Sequence, residues 1–333
     1  MPPRATPSKP KNSIRSFFIL NKFSRTYTRQ KHKKTQQTIW PYLILPVNKN
    51  PDKIEKTKYS MIAIFDSGFG GLTVLKPIID ELPDYDYLYL GDNARAPYGN
   101  HSPETIKRYC EEAVEYLFEN GATLIIFACN TASSIALRHI QQKYLNGTDE
   151  RDRKILGVLI PVSQEVAKNK ESKRIGLIGT RATVSTSAYD DEIKKINPGL
   201  TLHKIECPLL VPLIEEDWHK KPEAVMILKK YLRPLKNANI DSLILGCTHY
   251  PLMYESISKK MGRNVKVLDS GKITAKSLKD YLSRHPEIES KLSKNSSRTY
   301  LTTDLPDKMK EFIKKNFDLK VDKVKKIELK RKN

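Results

Sequence analysis

Short apolar runs alternate with longer amphipathic stretches along the chain from residue 61 onward. The runs are almost continuously apolar and end in glycine or polar residues, which is typical of strands that are buried on both faces. They are MIAIF at 61–65, YDYLYLGD at 85–92, TLIIFA at 123–128, RIGLIG at 174–179 and DSLILGC at 241–247.

The stretches between these runs predict helices. Ser102 can cap a helix with Pro103 at its first position, and Gly121 marks its end. Within it, apolar side chains recur at steps of three and four residues, at Ile106, Tyr109, Cys110, Ala113, Val114, Leu117 and Phe118. The same reasoning predicts helices over 71–82, 132–145 and 248–261.

Strands that alternate with helices predict an α/β fold with parallel sheets covered by helices. The strand and turn pattern occurs twice, so we expect two similar α/β domains with a cleft between them. Ligands of such sheets bind beyond the carboxyl ends of the strands. Asp66, Cys129, Thr180 and Cys247 all fall at such ends, which places a candidate site in the cleft.

The first sixty residues differ from the rest in charge and pattern. They carry 14 Lys and Arg against two acids, which is +12 of the net charge of +21, and they show no sustained period. Because Met61 opens the first strand, upstream sequence added by a wrong start is the favoured interpretation. A disordered tail, a targeting peptide and a nucleic-acid-binding arm are the alternatives.

Composition narrows the class of protein. The chain has 333 residues and four cysteines, none in a C-x-x-C pair, which argues against a disulfide framework or a zinc ribbon. No cluster of residues has the spacing of metal ligands. No apolar run approaches the roughly 20 residues of a membrane-spanning helix, so we expect a cytoplasmic protein without a membrane partner. Over half of the net positive charge, +12 of +21, lies in the first sixty residues, which argues against nucleic acid as a partner of the rest.

Two of the four cysteines share a setting that the others lack. Cys129 in LIIFACNTAS and Cys247 in LILGCTHYPL each follow an apolar strand and precede polar residues. Backbone amides at a helix start would favour thiolate there, and His249 could activate its neighbour Cys247. Cys110 falls on the apolar face of its helix and Cys207 has no polar company, so both are expected to be small buried side chains.

The glycine-rich stretch DSGFGG begins at Asp66 and has two interpretations. Asp66 or Ser67 could cap the following helix while the glycines form a tight turn. The G-x-G spacing, with Asp92 after the next strand, would also fit part of a dinucleotide-binding loop. Thr73 occupies the third glycine position of that pattern, which weakens the nucleotide interpretation.

Six motifs in a fixed order resemble glutamate racemases, of the cofactor-independent aspartate/glutamate racemase superfamily. They are DSGFGG at 66–71, PYG at 97–99, CNTAS at 129–133, IGTRATV at 178–184, PLLVPLIEE at 208–216 and GCTHYP at 246–251. The resemblance covers about residues 61–333. It implies a first domain over 61–157, a second over 158–268, and a return of the chain to the first over 269–333.

The resemblance also implies roles for individual residues. Cys129 and Cys247 would be the two acid/base residues, supported by Asp66 and His249 respectively. Glu215 falls at the position of the second-domain carboxylate, directly before another glutamate. The substrate would be held by Asp66, Ser67, Tyr98, Gly99, Asn130, Thr131, Thr180, Thr183, Thr248 and His249.

The activity implied is that of an isomerase which interconverts L-glutamate and D-glutamate by proton transfer at Cα and supplies D-glutamate for peptidoglycan. Neither a cofactor nor a metal is expected, and a homodimer is left open. Aspartate racemase of the same superfamily is the alternative enzyme. A basic nucleic-acid-binding protein on a racemase-like scaffold is the alternative of another class.

Overall fold

Every strand predicted from an apolar run is present in the computed structural model, which describes residues 60–146, 153–321 and 324–330. The strands are β1 Met61–Asp66, β2 Tyr87–Gly91, β3 Ala122–Phe127, β4 Lys154–Gly157, β5 Arg174–Gly179, β6 Thr201–Glu206, β7 Ser242–Gly246, β8 Lys266–Leu268, β9 Arg298–Thr302 and β10 Val324–Lys326. The interpretations of the basic N-terminal segment concern residues that, apart from Ser60, lie outside the described part of the chain.

The strands form two parallel sheets. The first has the order β10-β9-β2-β1-β3-β4 and the second the order β6-β5-β7-β8, and every strand pairing is parallel. After the second sheet is complete, β9 and β10 return to the first. The predicted α/β class is confirmed. The domain boundaries at 157/158 and 268/269 stay predictions, because strand pairing does not fix where a domain ends.

Helices cover both faces of each sheet. Alternate side chains of β1 enter different apolar clusters, with Ile62 and Ile64 on one face and Ala63 and Phe65 on the other. The helices are α1 Leu72–Glu81, α2 Pro103–Glu119, α3 Asn130–Ile135, α4 Leu137–Tyr144, α5 Leu159–Lys168, α6 Arg181–Ser185, α7 Ala188–Ile196, α8 Leu210–Glu215, α9 Pro222–Asn237, α10 Tyr254–Met261, α11 Ser270–Arg284, α12 Pro286–Glu289 and α13 Pro306–Asn316. None of these helices is long and apolar enough to cross a membrane.

The predicted boundaries of α2 are confirmed, whereas two other helices differ from the prediction. Ser102 caps α2, where its hydroxyl accepts from the Thr105 N–H at 3.3 Å. The helix predicted over 132–145 is divided at Ala136 into α3 and α4, although the Ala136 N–H still bonds within the preceding turn. After Cys247 a 3₁₀ turn over Tyr250–Met253, with Pro251 near its start, precedes α10.

Helix α11 connects the two sheets. At its start the Ser270 hydroxyl donates to the Leu245 carbonyl in β7 at 3.1 Å. Further along, α11 packs on α1 of the first sheet. A Cβ on Gly271 would lie 2.3 Å from the Thr73 carbonyl oxygen, so only glycine permits this approach. The turn that leads into α1 is therefore held close to the loop that follows β7.

Candidate active site

The carboxyl ends of β1, β3, β5 and β7 meet around one narrow cavity of about 30 Å³. This volume has room for only one or two water molecules. Most of the residues predicted for the site line it, namely Ser67, Tyr98, Gly99, Cys129, Asn130, Thr131, Thr180, Glu215, Cys247, Thr248 and His249. The structure therefore brings both cysteines of the matched pair to the same space.

Asp66 lies behind the cavity wall and is fully buried. Its carboxylate accepts from the Gly68 N–H at 2.9 Å and from the Thr248 hydroxyl at 3.3 Å. Burial raises the pKa of Asp66, although the nearby His249 and these hydrogen bonds oppose the rise. These bonds tie Asp66 to the loop after β7, and its support of Cys129 stays a prediction.

The environment of Cys129 favours the neutral thiol. Its Sγ donates to Ser67 Oγ at 3.5 Å and accepts from the Ala132 N–H at 3.4 Å. Burial nevertheless raises the pKa of Cys129 to about 12, and the negative charge of Asp66 adds to the rise. The Ala132 N–H at the helix start lowers the pKa of Cys129, but the loss of solvation outweighs this one contact.

Cys247 lies beside a buried histidine instead. Its Sγ is 3.9 Å from His249 Nδ1, and His249 Nε2 is 3.0 Å from Glu215 Oε1. Burial lowers the pKa of His249, but its bonds to Cys247 and Glu215 outweigh this and raise it to about 10. An imidazolium between a sulfur and a carboxylate stabilises thiolate at the sulfur. Here the charge comes from His249 and not from a helix start, since a 3₁₀ turn follows Cys247.

The structure distinguishes the two adjacent glutamates. The Glu215 carboxylate contacts His249, whereas Glu216 is exposed. Burial would raise the pKa of Glu215, but the hydrogen bond and charge of His249 outweigh it and hold that pKa below its usual range. Glu215 is therefore a partly buried anion that favours the protonated form of His249.

Three threonine hydroxyls form a hydrogen-bonded cluster at the cavity wall. Thr131 Oγ1 lies 2.9 Å from Thr180 Oγ1 and 3.2 Å from Thr183 Oγ1, and the last two are 3.0 Å apart. Thr131 and Thr180 line the cavity, while Thr183 is buried behind them. Hydroxyls that can reorient in this way are suited to bind an anionic group.

The glycine-rich turn after β1 packs against the loop after β7. A Cβ on Gly70 would lie 2.4 Å from Thr248 Oγ1 and 2.5 Å from His249 Nδ1. Next to it, the Thr73 hydroxyl donates to the Thr248 carbonyl at 2.8 Å. The space that a phosphate would need at Gly70 is filled by protein, so the turn serves contact between the two loops.

Asp92, the second feature of the nucleotide interpretation, is also engaged within the protein. Its buried carboxylate accepts from Arg95 at 2.7 Å, from Thr303 at 2.9 Å and from the Tyr98 hydroxyl. Because Tyr98 lines the cavity, Asp92 helps to hold the cavity wall in place.

Several residues at the site were not predicted from the sequence. Gly68, Ala96, Pro97 and Val211 also line the cavity. Tyr189 contacts the lining residue Asn130 from behind. Gly68, Pro97 and Val211 lie within the motifs DSGFGG, PYG and PLLVPLIEE, which could have pointed to them, whereas Ala96 and Tyr189 have no feature that separates them from ordinary core residues.

Among the described residues, no group of three or more His, Cys, Asp and Glu side chains could hold a metal ion. No lysine is among the residues that line the cavity in this part of the chain. The chemistry that the cavity offers is therefore that of two thiols, an imidazolium, carboxylates and hydroxyl groups.

Comparison with known proteins gives consistent matches. Residues 74–278 match the Asp/Glu/Hydantoin racemase family. The chain is 42% identical over 248 residues to the glutamate racemase of Geobacter metallireducens, covering 74% of this chain and 89% of the relative. The crystal structure of glutamate racemase isoform RacE1 from Bacillus anthracis superimposes with a TM-score of 0.74 at 31% identity, over 82% of this chain and 98% of that one. The crystal structure of glutamate racemase from Francisella tularensis in complex with D-glutamate superimposes with a TM-score of 0.73 at 31% identity, over 81% of this chain and 98% of that one.

We predict that Gly70→Ala destabilises the protein by about 1–3 kcal/mol, since the added methyl must displace Thr248 or the His249 ring. Gly199→Ala is the matched control, because its Cβ would meet only Asn197 Oδ1 at 3.4 Å. Urea unfolding of both variants measures the difference. Equal stability of the two variants would show that the two loops can move apart at Gly70 and admit a methyl group without cost.

We also predict that Glu215→Gln lowers the pKa of His249 from about 10 towards its ordinary value of about 6.5, because the variant removes the anion that favours imidazolium. Glu216→Gln removes the same charge from the exposed neighbour and should leave that pKa unchanged. NMR titration of the imidazole measures both variants. The ion-pair assignment fails if the two titrate alike.

Proposed function

The chain belongs to the Asp/Glu/Hydantoin racemase family and, within it, to the glutamate racemases, and we propose that it interconverts L-glutamate and D-glutamate by moving the α-proton between Cys129 and Cys247. The observation that carries this mechanism is the presence of both thiols on one cavity, in opposite electrostatic environments. Racemisation through two opposed bases needs one sulfur as thiolate and the other as thiol at the start of each turnover.

In the substrate-free protein the proton is expected on Cys129. The mechanism then requires thiolate on Cys247, whose sulfur lies beside the His249 imidazolium. For L-glutamate, the Cys247 thiolate takes the α-proton, and the electron pair of the C–H bond stays on Cα. The Cys129 S–H then delivers its proton to the other face of Cα, which yields D-glutamate and leaves thiolate on Cys129. The reverse reaction begins from that second protonation state.

The intermediate carries extra negative charge on the α-carboxylate, which needs hydrogen-bond donors that are already in position. We assign this role to the hydroxyls of Ser67, Thr131 and Thr248 and to the Asn130 amide. The ammonium group of the substrate brings a positive charge near Cys129, which lowers the cost of forming thiolate there. The full set proposed to hold the substrate is Asp66, Ser67, Tyr98, Gly99, Asn130, Thr131, Thr180, Thr183, Thr248 and His249.

Glu215 acts through His249 in this mechanism. Its carboxylate favours imidazolium and fixes the ring at 3.0 Å, and the ring in turn faces Cys247. Asp66 bonds to Thr248 and thereby orients a hydroxyl beside the substrate. Both carboxylates therefore act on the reaction without a direct transfer of the α-proton.

Substrate entry requires the cavity to widen, because about 30 Å³ holds less than any amino acid needs. Separation of the loops that follow the first-sheet strands from those that follow the second-sheet strands would admit glutamate. Their return would exclude water from the carbanionic intermediate.

We further propose that the product D-glutamate supplies peptidoglycan, the role of this family, and that turnover needs no added cofactor. The homodimer and the cytoplasmic location stay predictions.

The two-thiol mechanism predicts that, early in the reaction in deuterated water, product carries deuterium at Cα while the remaining substrate stays largely unlabelled. The returning proton comes from a thiol that has exchanged with solvent, on the face opposite to the one deprotonated.

Cys129→Ala and Cys247→Ala should each lower racemisation by about a hundredfold or more. Cys110→Ala, which changes a buried cysteine outside the cavity, is the matched control. Mass spectrometry of the separated enantiomers measures the deuterium at Cα of substrate and product, and the same separation measures the turnover of each variant. Equal early labelling of substrate and product, with near-parent turnover in one of the two cysteine variants, would indicate a single base.

We predict that glutamate is converted faster than aspartate, the substrate of the alternative enzyme. The similarity to glutamate racemases over most of the chain supports this choice. Circular dichroism of each L-amino acid with the enzyme measures the loss of optical activity. A higher kcat/KM for aspartate would reverse the substrate assignment and leave the two-thiol mechanism standing.

A further inference from the structure

Tyr189 touches a residue of the site from outside the cavity. It lies on α7, in the apolar cluster of the second sheet, and is 1% exposed. Its hydroxyl donates to Asn130 Oδ1 at 2.6 Å. Asn130 begins α3 after β3 of the first sheet, so this bond spans the two sheets. Burial raises the pKa of Tyr189 well above its usual range, and the hydroxyl therefore keeps its proton.

The other half of the Asn130 amide has no partner. Asn130 is 2% exposed and lines the cavity. Its Nδ2 is buried and, within the part of the chain that the structure describes, makes no hydrogen bond. A buried amide N–H without an acceptor is costly, so an acceptor is expected from a bound molecule.

The orientation of the amide follows from the tyrosine. If the amide were turned over, Nδ2 would face the Tyr189 hydroxyl, and the tyrosine proton would lose the acceptor that it has now. The amide oxygen would then face the substrate, where it would repel a carboxylate. The hydroxyl of Tyr189 thus selects the orientation in which Nδ2 is available to a negatively charged group.

We propose that Tyr189 is a positioning residue for substrate binding: it fixes the Asn130 amide so that Nδ2 donates to a carboxylate oxygen of the bound amino acid. This inference rests on the proposed function for the identity of the substrate.

The first test is Tyr189→Phe, which removes the hydroxyl and keeps the ring. We expect kcat/KM for glutamate to fall about tenfold, with a matching loss of D-glutamate affinity in calorimetry, as for a lost hydrogen bond to a charged group. Tyr87→Phe is the matched control. Tyr87 is also buried, and its hydroxyl donates to the backbone carbonyl of Leu82 at a distance of 2.7 Å. Neither residue lines the cavity. The control should lose thermal stability without loss of affinity.

The second test separates positioning from general stability by a double-mutant cycle. If Tyr189 acts through Asn130, then Tyr189→Phe has no further effect on D-glutamate affinity in a protein that already carries Asn130→Ala. Thermal unfolding of all four proteins controls for the fold, and Asn130→Ser replaces Asn130→Ala if the latter unfolds.

A loss in Tyr189→Phe that persists undiminished without the Asn130 amide would overturn the proposal, as would an affinity equal to that of Tyr87→Phe. The readout is binding, so it remains decisive even if the cysteine variants contradict the two-thiol mechanism. Failure of the cysteine variants to lose activity would count against the proposed function and not against the role of Tyr189.

Discussion

The arrangement of the site depends on the contact between the turn after β1 and the loop after β7. Gly70 has no room for a side chain beside Thr248 and His249, and the Thr73 hydroxyl bonds to the Thr248 backbone. The same turn provides Ser67 to Cys129, and the same loop carries Cys247. One tight backbone approach therefore sets the distance between two reactive thiols that belong to different sheets.

Similar local sequences acquire opposite electrostatic properties through their neighbours. Cys129 is buried near the carboxylate of Asp66, which favours the neutral thiol. Cys247 is buried next to His249, whose positive charge is favoured by Glu215. The ion pair of His249 and Glu215 lies beside Cys247, whereas the carboxylate of Asp66 lies near Cys129, so the two sulfurs face opposite charges. This difference is what a reaction with one acid and one base requires at the start of turnover.

The polar groups that are left around the cavity suit an anionic occupant. Three threonine hydroxyls satisfy one another and can reorient, whereas the Asn130 amide is held in one orientation and its Nδ2 has no acceptor among the described residues. An unpaired buried donor lowers stability, and a bound carboxylate would offset that cost. The closed cavity, with room for one or two waters, would make such a hydrogen bond stronger than it is in water.

Features that depend on local pattern could be predicted from the sequence. The apolar runs give the strands, Ser102 gives the start of α2, and a cysteine at the end of a strand in each half locates the cavity, because parallel strands present their carboxyl ends together. Three other features became visible in the folded protein alone, namely the raised pKa of Cys129, the contact of His249 with Glu215 and not Glu216, and the bond from Tyr189 to Asn130. Each of these is set by desolvation or by a contact between residues that are distant along the chain, and local periodicity carries no information about either.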